Sequence, residues 1–390
     1  MDFRLSEEQR MMARAAREVG GRFGMDYWRE CDENKAFPAE FWRAVCEAGL
    51  CGVALPEQYG GSGLGMLDMA IIVENLAASG GGPTVGQLFM LNPIFGGVSI
   101  SRFGTPAMKS ELLPKLIRGE MCFCMALTEP DAGTNTLELK TFARADGDGW
   151  RLNGRKIWIT GVPTAAKMLV IARTRKLEAG MRRTEGLSLF MIDVDRAGLS
   201  HQTIPKLGTN TLASSNVYFD DVRVEPHEVI GGVDQGWTQL LEVLNTERIV
   251  TTAALAGGGE LVLKLAVDYA ATRKVFGDKP IGSYQGLQFP LAQCHAEIEA
   301  ARLLNYRAAA HCDAGLPYGS DANQSKLLLA QAVARATERA MQTMGGMGFA
   351  KESHVERIWR DARLFRFAPV SEEMILNYIA QHDLGMPRSY

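Results

Sequence analysis

The sequence predicts a multidomain α+β protein with an N-terminal helical domain, a middle antiparallel β-barrel or sandwich, and a C-terminal four-helix bundle. Apolar residues recur at helical spacing over residues 1–120, alternate as in strands over 121–233, and return to helical spacing over 234–390. A chain of 390 residues exceeds what one hydrophobic core usually supports. We therefore predict three domains with these boundaries.

Helix signals dominate the first domain. Ser6 and Gln9 form a capping-box pattern ahead of a periodic stretch at 11–19, and a further helix is predicted at 85–102. The Gly-rich stretch 56–65 does not match the spacing of a dinucleotide-binding loop and follows no clear strand. We interpret that stretch as a structural turn.

Turn signals of the Asp-Gly and Asn-Gly type punctuate the middle domain. One of them, at Asn153 and Gly154, predicts separate strands near 150–152 and 155–160. No long helical pattern interrupts the strands of this region. This favours short antiparallel strands without crossover helices.

The third domain opens with a long predicted helix at 236–273. Three consecutive glycines starting at Gly257 lie inside it, and such small residues are tolerated in a helix where another helix approaches closely. Further helices are predicted near 285–313, 320–344 and 370–383. Four helices of this kind suggest an antiparallel bundle.

Composition and charge exclude several classes of function. The formal net charge is −3 and the pI about 6.1, so we expect no nucleic-acid partner. No run of 18 apolar residues occurs, and the first residues lack the pattern of a signal peptide, so we expect no membrane span and a cytoplasmic location. The seven cysteines include no CxxC pair and the six histidines no HExxH spacing, so we predict no metal site.

A polar, turn-rich loop at 126–134 lies between apolar runs, and a strand pattern at 156–160 follows it. Trp158 and Thr160 are two residues apart on this predicted strand, so both side chains should point to the same face. An indole and a hydroxyl on one face can enclose a flat aromatic ligand. The alternative for Trp158 is a core aromatic residue.

These two segments, together with four later ones, resemble motifs of the acyl-CoA dehydrogenases. The loop resembles the TEPGAGSD loop of that family, and the strand resembles its WIT strand. The later segments follow in family order and spacing, and they lie at 219–224, 273–277, 342–349 and 360–363. The resemblance covers essentially the whole chain and implies the family's helical, β and four-helix-bundle domains.

The resemblance also implies an activity and its partners. Members of this family bind FAD, oxidise an acyl-CoA to a trans-2-enoyl-CoA and pass the electrons to an electron-transfer flavoprotein, as homotetramers or dimers. Two alternatives within enzymes are an enoyl-CoA reductase and an oxidase-type relative that acts on a non-CoA substrate. A third alternative is a flavin-holding relative without dehydrogenase activity.

The resemblance implies cofactor contacts residue by residue. Leu127 and Thr128 would bond the rim of the flavin, Trp158 would pack against its ring, and Thr160 would lie near N5. The other residues implied to contact FAD are Met125, Gly133, Thr134, Arg273, Phe276, Gln285, Gln342, Gly345, Gly346, Ser371 and Glu373.

Part of this set would serve a neighbouring subunit or the substrate. Arg273, Phe276 and Gln285 resemble residues that reach the cofactor of a neighbour, and the guanidinium fork of an arginine suits phosphate oxygens. The resemblance also implies that Thr134, Asn245 and Arg248 contact the acyl-CoA.

The chemistry needs a base beside the substrate, and burial raises the pKa of a carboxyl group into a useful range. In many family members this base is a Glu at the position that resembles Pro369 here. The isovaleryl-CoA and long-chain dehydrogenases carry the base on the first bundle helix, in a segment that resembles the one around Glu247. Because Glu247 interrupts an apolar stripe, its carboxylate is either costly or useful. We predict Glu247 as the base, with Glu372 or Glu373 as alternatives; a surface-paired Glu247 is the non-catalytic alternative.

Overall fold

The computed structural model describes residues 4–388, and its N-terminal part is helical as predicted. The first helix begins with the predicted capping box. Ser6 Oγ accepts a hydrogen bond from the Gln9 N–H at 3.1 Å, and Gln9 Oε1 accepts one from the Ser6 N–H at 3.0 Å. The helices of this part are α1 Glu7–Gly21, α2 Gly24–Glu33, α3 Ala39–Glu47, α4 Met66–Leu76, α5 Thr84–Phe89, α6 Ser99–Phe103 and α7 Pro106–Ile117.

The predicted helix at 85–102 consists of three helical segments in the structure. A π-helical segment, Met90–Val98, separates α5 from α6. Pro93 lies inside this segment and has no N–H to donate, so a regular α-helical hydrogen bond is lost there. A second π-helical segment, Ala77–Gly81, follows α4 and contains Gly80 at a φ of +135°.

The middle part of the chain forms one eight-stranded sheet, which confirms the predicted β domain. Its strands are β1 Phe123–Ala126, β2 Phe142–Asp146, β3 Gly149–Thr160, β4 Lys167–Arg173, β5 Leu187–Asp193, β6 Leu199–Ile204, β7 Ser214–Val224 and β8 Val229–Ile230. The strand order is β6-β7-β3-β2-β4-β5-β8, with β1 paired to β4. Most neighbours are antiparallel as predicted, whereas β1 and β2 each pair with β4 in parallel.

The predicted turn at Asn153 and Gly154 is absent, because β3 continues through both residues. The register between β3 and β7 shifts between Leu152 and Gly154, which marks a bulge. Gly154 has a φ of +152°, and a Cβ there would lie 2.5 Å from Thr141 Oγ1. The glycine therefore serves a bulge and a close approach within the sheet rather than a chain reversal.

The C-terminal part is helical again. Its helices are α8 Gly236–Thr272, α9 Gln285–Asp313, α10 Gly319–Met344, α11 Gly346–Phe349, α12 Val355–Leu364 and α13 Glu372–His382. Four of them, α8, α9, α10 and α13, match the predicted helices to within two residues at each end. The sequence analysis does not predict α12, half of whose residues are charged.

Helix α8 packs closely on three sides, and its glycines explain how. A Cβ added to Gly257 would lie 2.0 Å from the carbonyl oxygen of Glu74 in α4, and one added to Gly259 would lie 2.7 Å from Ile298 Cδ1 in α9. Between them, a Cβ on Gly258 would lie 2.8 Å from the Pro83 ring. Within residues 4–388, α8 is the helix long and apolar enough to cross a membrane, yet 83% of its most apolar stretch is buried in the protein. It is therefore a core helix.

Helix α12 joins the three parts of the chain. The Arg360 guanidinium lies 2.6 Å from a carboxylate oxygen of Asp32 in α2. The buried Asp361 carboxylate accepts hydrogen bonds from Thr84 Oγ1, at 2.9 Å, and from the Thr209 N–H after β6. These bonds fix the helical bundle against both the N-terminal helices and the sheet.

Candidate active site

The loop at 127–141 is organised by a buried ion pair. Lys156 of β3 is fully buried, and its Nζ lies 2.9 Å from Glu129 Oε1 and 2.8 Å from the carbonyl oxygen of Leu127. The Glu129 carboxylate also accepts the N–H groups of Lys140, at 2.6 Å, and Thr141, at 2.9 Å. Burial lowers the pKa of Lys156 to about 8, although the Glu129 carboxylate opposes this shift. The pair therefore holds the loop against β3 from within.

Backbone pairing completes the link between the loop and the strand. The Ile157 N–H donates to the carbonyl oxygen of Thr128 at 2.9 Å, which brings Thr128 beside Trp158. Leu127 and Thr128 are half-buried and Gly133 is exposed. Loop and strand thus bring together the flavin contacts proposed for one subunit.

Trp158 lies on a second bulge of β3, so the predicted simple alternation with Thr160 is wrong. Lys156 pairs with Val217 and Ile159 with Ser215, so β3 contains one more residue than β7 between these two pairs. Trp158, within this extra length, has a φ of +62°. The indole is 53% exposed, which contradicts the alternative that it is a core residue. Thr160 is half-buried, and its Oγ1 lies 3.0 Å from Ser214 Oγ. Both side chains remain accessible at the same end of β3.

The residues proposed to serve a neighbour lie at the ends of the bundle helices. Arg273 follows the last residue of α8, Gln285 begins α9, and Gly345 follows the last residue of α10 at a φ of +57°, a conformation that glycine favours where a helix ends. Phe276 has a φ of +51° and is fully exposed. Gln342 and Gly346 are exposed as well. Within residues 4–388, no hydrogen bond or strand pairing joins these residues to the loop at 127–134 of the same chain.

The start of α13 holds two further sequence-predicted residues and an ion pair. Ser371 Oγ accepts the Met374 N–H at 3.3 Å and so caps the helix, while Glu373 is exposed. Arg366 Nη2 donates to Glu372 Oε2 at 2.7 Å, and a second guanidinium nitrogen binds the other oxygen. Although burial opposes it, this bidentate contact lowers the pKa of Glu372. Glu372 is therefore a paired anion.

Glu247 lies inside the protein on α8, with 1% of its surface exposed. Its Oε2 has no hydrogen-bond partner among the described residues. Burial raises the pKa of Glu247 to about 8, against the opposing charges of Arg248 and Lys326. The alternative of a surface-paired glutamate is therefore wrong.

Arg248 and Asn245 form the polar side of this region. The Arg248 guanidinium is buried and donates to Asn245 Oδ1, while its Nε has no partner among the described residues. Burial lowers the pKa of Arg248, although the neighbouring Glu247 carboxylate opposes this shift. Two unpartnered buried groups, Glu247 Oε2 and Arg248 Nε, thus lie on consecutive residues of one helix.

The sequence analysis misses three charged residues of this region: Glu129, Lys156 and Lys326. Lys156 occupies an inward-facing position of β3, and Lys326 interrupts an apolar stripe of α10. A charged residue at an inward position of a predicted element is the signal that could have identified both lysines.

Family models for the three domains of acyl-CoA dehydrogenases match the chain: the N-terminal domain over residues 6–120, the middle domain over 124–222 and the C-terminal domain over 234–384. The chain belongs to the acyl-CoA dehydrogenase family. It is 38% identical over 387 residues to the acyl-CoA dehydrogenase fadE12 of Mycobacterium tuberculosis, covering 99% of this chain and 98% of that relative.

Solved structures of the family share the fold of this chain. A glutaryl-CoA dehydrogenase bound to glutaryl-CoA superposes with a TM-score of 0.94 at 31% identity, over 100% of this chain and 98% of that one. The FAD complex of PigA superposes with a TM-score of 0.93 at 27% identity, over 99% and 100%. The protein is accordingly an FAD-dependent oxidoreductase acting on CH–CH groups.

The residues present fit the cofactor. Trp158 and Phe276 are large apolar side chains left in contact with solvent, and an aromatic ring system would cover such surfaces. A Cβ added at Gly133 would meet only the Thr128 methyl group, at 3.8 Å, so the backbone there is open to a ligand.

Lys156→Met tests whether the buried pair of Lys156 and Glu129 holds the loop at 127–141 in a conformation that binds FAD. The substitution leaves Glu129 buried without its cation, and breaking a buried pair in this way costs about 3–5 kcal/mol. We expect the loop to loosen and the dissociation constant of FAD, measured by fluorescence titration, to rise about tenfold or more. Lys140→Met is the matched control, because Lys140 is exposed in the same loop. Equal dissociation constants for both variants would contradict the role.

A pH series tests the burial of the Glu247 carboxyl. Its pKa is about 8 in the folded protein and about 4.3 in an unfolded chain. The folded state therefore binds this proton more tightly, and its contribution to stability is complete below about pH 4 and declines as the pH rises to about 8. The decline is about 1.4 kcal/mol per pH unit.

Glu247→Gln should remove this decline. We expect the free energy of unfolding of the variant, relative to that of the unmodified protein, to increase steadily between about pH 5 and pH 8 in urea titrations. A difference between the two proteins that is independent of pH would show that Glu247 titrates normally.

Proposed function

We propose that this protein oxidises an acyl-CoA thioester to the trans-2-enoyl-CoA, with Glu247 as the base and an electron-transfer flavoprotein as the electron acceptor. The observation that carries the proposal is the buried Glu247 carboxyl with a free oxygen and a pKa of about 8. Pro369, at the position where many relatives carry the base, has no proton acceptor in its side chain.

Proton removal is the step for which the protein supplies the group. FAD, when bound, supplies the acceptor for the hydride that leaves the β carbon. Glu247 Oε2 has a free lone pair and would take the proton from the α carbon of the thioester. Its raised pKa brings this carboxylate closer in basicity to the acidic α C–H than an exposed glutamate would be, and proton transfer is most effective near a matched pKa.

Neither alternative carboxylate suits this role equally well. Glu372 is held by Arg366 in a bidentate contact that lowers its pKa, so it is a weak base. Glu373 is exposed, where water and not the substrate surrounds the carboxylate. The environment therefore favours Glu247 among the three.

Arg248, Asn245 and Thr134 are the substrate contacts of this proposal. Arg248 lies next to the base and has an Nε without a partner among the described residues, so it can bind a polar group of the CoA portion. Asn245 already orients the guanidinium through its Oδ1. Thr134 is exposed on the cofactor loop, from which it can reach a ligand outside the chain.

The functional unit is proposed to be a homo-oligomer, a dimer or a tetramer. Phe276, Phe289 and Phe349 are exposed aromatic side chains in the C-terminal part of the chain, and such surfaces commonly pack against another subunit. Arg273, Gln285 and Gln342 lie in the same part of the chain. A second copy would bring these residues to the FAD of its neighbour.

Glu247→Gln in the FAD-loaded enzyme tests the base directly. The amide keeps the shape of the side chain but cannot accept the α proton, so flavin reduction by acyl-CoA should slow by roughly a hundredfold or more. The measurement is stopped-flow absorbance of the flavin band with the best substrate from a panel of acyl-CoA chain lengths. Asp268→Asn, which neutralises an exposed carboxylate on the same helix, is the matched control and should reduce at the rate of the unmodified enzyme.

The same panel decides between the candidate functions. Reduction of the variant at the unmodified rate would exclude Glu247 as the base. If the unmodified enzyme is bleached by no acyl-CoA, the dehydrogenase proposal fails and the flavin-holding alternative gains. Oxidation of the reduced flavin by an enoyl-CoA would instead favour the reductase alternative.

Arg273→Ala tests the contribution of the neighbouring subunit. The side chain is exposed, so its loss should leave the subunit folded but lower the FAD occupancy of the purified protein several-fold. Lys264→Ala, an exposed change on the same helix, is the control. Sedimentation of the unmodified protein should show an oligomer, and an isolated monomer with full FAD occupancy would contradict the shared site.

A further inference from the structure

Lys326 is a buried cation with a defined partner that the proposed mechanism does not use. It lies on α10 with none of its surface exposed, between the buried residues Ser325 and Leu327. Its Nζ donates to the carbonyl oxygen of Val370 at 2.6 Å. Val370 directly follows Pro369 in the connection between α12 and α13. Lys326 therefore anchors the segment in which many relatives carry their base.

The charged groups that face Lys326 come from two other helices. Glu247 on α8 and Glu372 and Glu373 on α13 favour the charged form of Lys326, whereas Arg248 on α8 disfavours it. Burial lowers the pKa of Lys326 to about 8, while Glu372 and Glu247 favour its charged form. Burial of an ammonium group is costly unless anions and hydrogen-bond acceptors surround it, and this position supplies both.

Glu247 faces only a small set of charges in return. Arg248, on its own helix, and Lys326, on α10, are the cations that favour its carboxylate form. Arg248 is tied to Asn245, and the proposed substrate contact would occupy it further. Lys326 is held by the protein itself, through the carbonyl oxygen of Val370.

We propose that Lys326 is a positioning residue for the base: its buried ammonium group fixes the segment around Pro369 and supplies the positive charge that allows Glu247 to ionise inside the helical core. This inference rests on the proposed function, because it assigns Glu247 the role of proton acceptor. According to this inference, proton removal by Glu247 on α8 also requires a cationic residue at position 326 on α10. The substrate need not touch Lys326.

The charge of Lys326 should set the pH at which the enzyme becomes active. Removing it leaves Glu247 with less stabilisation of the carboxylate, so a higher pH is needed to ionise this group. In Lys326→Gln the acidic limb of the rate of flavin reduction against pH should move up by about one unit. The rate at pH 7 would then fall about tenfold, while the rate near pH 9 would approach that of the unmodified enzyme.

The experiment uses the FAD-loaded enzyme and stopped-flow reduction by one acyl-CoA across about pH 6 to pH 10. Lys326→Arg keeps the charge and should keep the acidic limb of the unmodified enzyme. Lys264→Met is the matched control, because it removes an exposed lysine from α8 and should leave the profile unchanged. A loss of thermal stability in Lys326→Gln without a shift of the acidic limb would overturn the proposal and leave Lys326 a structural residue.

A second readout does not depend on turnover. The pH at which the stability difference between the Glu247→Gln variant and its parent stops changing reports the ionisation of Glu247. This pH should rise when both proteins also carry Lys326→Gln, and an unchanged pH would overturn the proposal. If no acyl-CoA reduces the flavin, the proposed function fails while this readout still tests Lys326.

Lys326→Met serves as a second neutral variant if Lys326→Gln does not fold. A shifted acidic limb in this variant supports the proposal, and an unshifted one overturns it. Should neither neutral variant fold, the pH profile of Lys326→Arg remains the test, and a displaced acidic limb there would overturn the proposal.

Discussion

The close packing of α8 is the constraint on which the candidate site depends. Glycines at 257–259 let the backbone of this helix lie directly against α4, α9 and Pro83, where a larger side chain at any of the three positions would clash. Glu247 lies more than two turns before these contacts on the same helix. Its depth in the core is therefore set by backbone packing rather than by a hydrogen bond of its own. Burial fixed in this way keeps a carboxyl group away from water and raises its pKa.

Two buried carboxylates in this protein illustrate opposite uses of burial. Glu129 is satisfied by Lys156 and by two backbone N–H groups, and it gives shape to the loop that carries the proposed flavin contacts. Among the described residues, Glu247 keeps an oxygen without a hydrogen-bond partner, while Arg248 and Lys326 favour its carboxylate form. A fully satisfied carboxylate stabilises a structure, whereas an unsatisfied one retains the capacity to accept a proton. This difference in hydrogen bonding supports a structural role for Glu129 and the proposed role of Glu247 as the base, independently of their positions in the family motifs.

The sequence predicts long regular elements well and local backbone exceptions poorly. The apolar stripe of α8 extends over many turns, so its ends and the buried position of Glu247 follow from periodicity. The bulges at Gly154 and Trp158 do not, because both arise from the pairing of β3 with β7, which lies more distant in the chain. Lys326 is missed for a related reason. Its partner, Val370, is brought to it only by the packing of α10 against the segment before α13.

A proline instead of a glutamate at position 369 also affects the charges around Lys326. A glutamate there would lie next in sequence to Val370, whose carbonyl oxygen accepts the hydrogen bond of Lys326. With proline, the Lys326 ammonium group donates to that carbonyl oxygen, and the carboxylates of Glu372, Glu247 and Glu373 favour its charged form. Glu372, which is paired with Arg366, favours the charged form of Lys326 most strongly, and Glu247 is a second anion that does so. The proposed use of Glu247 as the base is therefore compatible with a proline at 369, because Arg248 and Lys326 still favour its carboxylate form.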